Sequence, residues 1–127
     1  MLNATNPTKT EAYFSGRSLE LVVPALEATR DFYLGGNGIG LDDFLTEIDA
    51  KKSNDEPLNE AITDQFAISI TNLSALSGKL SDEVDDNPTD VASAYNALSA
   101  QLINVKTDLP SVLCVSITYI DNPSDSD

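Results

Sequence analysis

The segment Gly35–Leu45, "GGNGIGLDDFL", places four glycines next to two adjacent carboxylates, Asp42 and Asp43. Glycine-rich turns cradle phosphates, and paired carboxylates hold cations, so each chemistry can be tested against the spacing. A dinucleotide loop needs G-x-G-x-x-G after a strand. Gly36 and Gly38 fit the first pair, but Leu41 stands where the third glycine belongs. A phosphate loop needs lysine after the final glycine of G-x-x-x-x-G, and Leu41 again occupies that place after Gly35 and Gly40. A calcium loop needs oxygen ligands at alternating positions closed by a glutamate. The first half of this stretch offers only Asn37. What remains is geometric: glycines reach positive φ at little cost, so the stretch reads as a tight reversal between two helices.

The other residues with ligand chemistry are carboxylates. Twenty-one acids against seven bases give a net charge of −14. Such a polyanion repels nucleic acid and anionic lipid and attracts cations or a basic partner. Asp121, Asp125 and Asp127 at the end of the chain are the first candidates for a hard cation, with Asp42 and Asp43 second. The alternative for all five is ordinary solvation. The chain has no histidine, which removes any triad, zinc site or proton shuttle built on imidazole. Cys114 is the only cysteine, so no intramolecular disulfide forms. It lies in "SVLCVSITYI", where a small buried hydrophobe is expected. No catalytic residue is assigned.

The elements that must position these groups are helical. "SLELVVPALEATRDFY" carries Leu19, Val22, Val23 and Leu26 at helical spacing, extended by Phe32 and Tyr33, with Pro24 predicting a kink or a late start. "GLDDFLTEIDAKK" predicts a second helix with Leu41, Phe44, Leu45 and Ile48 on one face. Pro57 opens a third with the ladder Leu58, Ile62, Phe66, Ile70 and Leu73. "KLSDEVDDNPTD" reads as an acidic connector with room for one turn of helix, and its charge run Asp82, Glu83, Asp85 and Asp86 as solvated. Asn87-Pro88 opens the most regular helix, with the seam Val91, Tyr95, Leu98, Leu102, Val105 and Leu109. Its alternating four- and three-residue steps predict core packing against neighbouring helices, and Pro110 closes it. "VLCVSITYI" then reads as extended.

Together these predict one all-α domain over residues 1–127, an up-and-down four-helix bundle with an extended C-terminal tail. Residues 1–17 form an irregular lead-in and 110–127 the extended acidic tail. Tyr13, Phe14, Tyr33, Phe44, Phe66, Tyr95 and Tyr119 are expected to fill the core. No apolar run is long enough to cross a membrane, and no signal peptide is visible at the start.

"YFSGRSLELV", "DFYLGGNGIGLDDFL" and the terminal "VSITYIDNPSDSD", in that order, resemble the C-terminal half of the imelysin family. These are iron-regulated bacterial envelope proteins also classed as M75 peptidases. The resemblance implies a periplasmic or envelope location and an all-helical protein of two similar halves, with the site near their junction. The family's G-x-H-x-x-E motif belongs to the other half, and this chain has no histidine to supply it. Pro24 interrupts a helix that the family keeps continuous. Asp125-Ser126-Asp127 stands where the family ends Asp-Gly-Asp.

Three functions follow as expectations. The first is a non-enzymatic binding or accessory half of an imelysin-like protein associated with iron uptake. It would take iron or another hard cation as ligand, and an N-terminal half or another envelope protein as partner. The second is part of a metallopeptidase whose histidine motif lies in the other half. The third is an acidic helical interaction module, in which the seam from Val91 to Leu109 pairs with another chain.

Overall fold

The computed structural model describes residues 6–10 and 12–116. After a 3-10 turn at Pro7–Lys9, the helices are α1 (Ser18–Tyr33), α2 (Leu41–Glu47), α3 (Leu58–Ser74), α4 (Leu80–Asp86), α5 (Pro88–Ile103) and α6 (Leu109–Leu113). A π-helical turn, Asn104–Asp108, joins the last two. The architecture is an all-α helical bundle. Antiparallel α1, α3 and α5 form its body, with α3 in the middle.

The glycine stretch is the turn its composition indicates. Gly36 N–H donates to the Asp31 carbonyl at 3.1 Å, and Gly35 takes φ +69°, which together close α1 with a left-handed cap. A Cβ on Gly35 would lie 2.5 Å from the backbone nitrogen of Gly40, so the two limbs of the loop touch where only glycine fits. α1 itself continues through Pro24, which lies on the solvent side. Of the adjacent Phe32 and Tyr33, Tyr33 enters the core and Phe32 is exposed.

α2 is shorter than its sequence pattern predicts. Asp49 adopts a left-handed φ of +49°, and Ala50 N–H donates back to the Leu45 carbonyl at 2.9 Å, which stops the helix before Lys51 and Lys52. Leu45 is buried and Leu41 packs against the core, while Phe44 and Ile48 stay in solvent. α3 follows its ladder: Leu58, Ile62, Phe66 and Leu73 are buried.

Three further expectations are corrected. The helix in the acidic connector, α4, is longer than a single turn, and Glu83 within it is buried rather than solvated. Its carboxylate accepts from Ser77 N–H at 3.0 Å and from Asn87 Nδ2 at 2.8 Å, so the charge is bound by donors from both flanking turns. Pro110 does not end the fifth helix either. Proline has no N–H for the Lys106 carbonyl, and the chain absorbs the loss by widening one turn, with Leu109 N–H donating to the Asn104 carbonyl. Residues 109–113 are therefore helical and not extended. Cys114 then takes a left-handed conformation, φ +53°, and is exposed rather than buried. Tyr119 and the remainder of the predicted tail lie outside the described residues.

The core has two parts. At one end Tyr33, Leu45, Ala50, Leu58, Ile62 and Phe66 cluster, closed by Leu109, Val112 and Leu113. At the other Leu19, Leu73, Leu76 and Ala94 meet, closed by Leu80 of α4. Of the other aromatics expected inside, Tyr13, Phe14, Phe44 and Tyr95 are exposed.

Candidate functional site

α5 is rotated about its axis relative to the sequence expectation. The residues it buries are Ala94, Ala97 and Gln101, followed by Asn104 in the π turn. These small and amide side chains let α5 approach α3 closely. Gln65 Nε2 donates to the Ala97 carbonyl at 2.9 Å, and Asn104 Nδ2 donates to the Ala61 carbonyl at 3.3 Å. Lys52 Nζ donates to Asn104 Oδ1 at 3.0 Å and lies 3.4 Å from Asp108, which ties the π turn to the loop before α3. The buried stripe lies one residue, about 100° of helix, from the apolar seam. The seam therefore faces sideways. Val91 and Leu98 are half-buried, whereas Tyr95 is 62% exposed and Leu102 50%.

Because α3 separates α1 from α5, a groove runs between those two helices above it. Its floor and walls form two adjoining cavities that share Tyr95 and Leu98. One, of about 220 Å³, is lined by Leu19 and Val22 of α1, Leu73 and Leu76 of the α3 end, and Val91 of α5. The other, of about 460 Å³, is lined by Leu26, Thr29, Phe66, Gln101, Leu102 and Val105. Short α2 does not reach along the body as a fourth rod, so nothing among the described residues covers the groove. On the α3 and α5 sides of the groove, Gln65–Gly78 and Val91–Val105 contain no Asp, Glu, Lys or Arg, whereas the α1 wall also carries Glu20, Glu27, Arg30 and Asp31.

Gln101 is the polar residue of interest. It is 6% exposed, lines the larger cavity, and neither its Nε2 nor its Oε1 has a hydrogen-bond partner. A buried amide left unpaired costs about 1–3 kcal/mol, so a group that both donates and accepts would be stabilised there. The sequence reading passed over this residue. Its signal was available: Ala94, Ala97, Gln101 and Asn104 repeat at three- and four-residue steps, the same period as the bulkier seam.

Only two of the five predicted cation ligands fall within the described residues. Asp121, Asp125 and Asp127 lie outside the described residues. Asp43 Oδ2 accepts Gly40 N–H at 3.1 Å, one arm of a capping box. Asp42 Oδ1 is buried without a hydrogen-bond partner, and its charge adds to the burial that holds the Tyr33 phenol protonated. Among the described residues no three His, Cys, Asp or Glu side chains come together in a way that would hold a metal. No helix among them is long and apolar enough to cross a membrane.

The family model described as imelysin, the M75 peptidases, matches residues 1–105. The chain belongs to the imelysin family. The matched span includes both walls of the groove, from α1 through α5 to Val105. No curated protein matches the chain, and no solved structure does. The peptidase label describes the imelysin family, and the described part of this member presents an apolar groove and a recessed amide.

Proposed function

We propose that this chain is a non-enzymatic binding half of an imelysin-like envelope protein associated with iron uptake, and that it works by docking. The observation that carries this reading is the seam of α5, which no other described residue covers: Tyr95 and Leu102 present an apolar, charge-free wall at helical spacing to the groove. Contiguous apolar surface of this kind marks an interaction site. The lack of any histidine supports a non-enzymatic role, because catalytic zinc sites draw most of their ligands from that residue. The link to iron uptake, the envelope location and the proposed histidine-bearing partner half follow from the resemblance alone.

The test is to mix the purified chain with an imelysin half that carries the histidine motif, and to measure mass by light scattering. A one-to-one complex that Leu102→Glu disrupts is expected. Absence of a complex, or zinc-dependent peptide cleavage by this chain alone, overturns the reading. The groove also serves an interaction module outside iron uptake. Iron-repressed expression of the coding gene favours the first reading, and iron-independent expression the second.

A further inference from the structure

We propose that the groove receives one α-helix of a basic partner polypeptide: uncharged along its inner stripe, carrying an amide side chain opposite Gln101, and bearing Lys or Arg on its flanks. This rests on the groove's role as a docking surface and adds the chemistry of what docks.

The wall sets the period. Val91, Tyr95, Leu98, Leu102 and Val105 alternate four- and three-residue steps, the spacing into which the ridges of a second helix fit. From Val91 to Val105 the wall runs roughly 20 Å, which matches about four turns of a partner helix. The cavities of about 220 and 460 Å³ are the hollows its larger apolar side chains would fill. No charge lies along the α3 and α5 sides of the groove, so an ion on the part of the partner's stripe that packs against them would be desolvated without a counter-ion.

Gln101 sets the polar position. Its amide has two donors and an acceptor, buried and unpaired, on a residue that lines the larger cavity. A second amide answers both functions at once. An acyl chain would leave them unpaired. A second copy of this chain is disfavoured on two grounds. It brings another −14 of charge to the approach, and its own Gln101 is recessed to the same depth, so the two amides would not meet. The same net charge attracts a helix whose flanks are basic.

The test uses the full chain and a fluorescent synthetic helix of about 18 residues, with leucines at alternating three- and four-residue steps, one central asparagine in that stripe and lysines on both flanks. Anisotropy should show micromolar binding, at least about tenfold tighter than for a scrambled peptide of the same composition. Binding should weaken as salt rises from about 0.05 to 0.5 M. Leu102→Glu, at an exposed position, should weaken it about tenfold while leaving the thermal melt in place. Gln101→Leu should remove the preference for the asparagine probe over one with leucine there.

Equal binding of the scrambled peptide, an unchanged preference in Gln101→Leu, or no binding overturns the proposal. So does a dimer of the chain alone that strengthens with salt and is lost in Leu102→Glu. If the histidine-bearing half binds while the synthetic helix does not, the functional reading stands and this one falls. If the synthetic helix binds and that half does not, the reverse holds.

Discussion

Tyr33 shows how much one side chain can couple. Its ring lies 5.9 Å from that of Phe66, and its hydroxyl donates to Asn59 Oδ1 at 3.0 Å. Burial pushes the phenol's pKa upward, and the Asp42 charge adds to the shift. In the unfolded chain a tyrosine loses its proton near pH 10. The folded chain keeps that proton to higher pH, so the stabilisation is fully present below about pH 10 and is lost as pH rises through the folded value. The urea midpoint of the native chain should therefore fall more steeply as pH rises above about 10 than that of Tyr33→Phe. At neutral pH the variant should lose about 1 kcal/mol for its missing hydrogen bond. Parallel alkaline decline in the two proteins would assign the effect to other groups. The sequence placed Phe32 and Tyr33 on one apolar face. Adjacent residues lie about 100° apart on a helix, so only one of them could point at Phe66.

At the scale of the element, α5 carries two stripes of the same period. The bulky seam and the stripe of alanines and amides are equally helical, and hydropathy selects the bulky one as core. The structure buries the other. Ala94 and Ala97 allow α3 to come close, and the Gln65 and Asn104 amides bond backbone carbonyls across that contact. Close approach and two inter-helix hydrogen bonds offset leaving Tyr95 and Leu102 at the groove. This ordering predicts unequal truncation costs. Leu45→Ala, at 1% exposure, should lower stability by about 2–5 kcal/mol, whereas Leu102→Ala should cost less than about 1 kcal/mol. Urea midpoints at constant slope measure both. A large loss in Leu102→Ala would mean that the groove is closed in solution. The same scale explains Pro110: as a helix breaker it predicts a stop, yet one π turn accommodates it because Lys52 and Asn104 hold the widened turn in place.

Over the whole molecule, a net charge of −14 on 127 residues makes self-repulsion a general destabilising influence. Adding salt shortens the screening length from roughly 30 Å at 0.01 M to about 8 Å at 0.15 M. Thermal melts should accordingly shift upward by several degrees over that range, roughly what 1 kcal/mol produces in a domain of this size. A downward shift would show that ion pairs such as Lys52–Asp108 outweigh the repulsion. By itself the sequence determined the helical class, the α3 face, the glycine reversal and the exclusion of imidazole chemistry. Those features depend on local period, on backbone conformations that only glycine adopts cheaply, and on which side chains exist at all. Only the tertiary structure decided which stripe of α5 turns inward, that α2 stops too soon to act as a fourth rod, and that Gln101 is recessed beside a groove that no described residue covers. A helix's rotation is set by the shape of what it packs against, and α3 accepts the small face because it permits the closer contact.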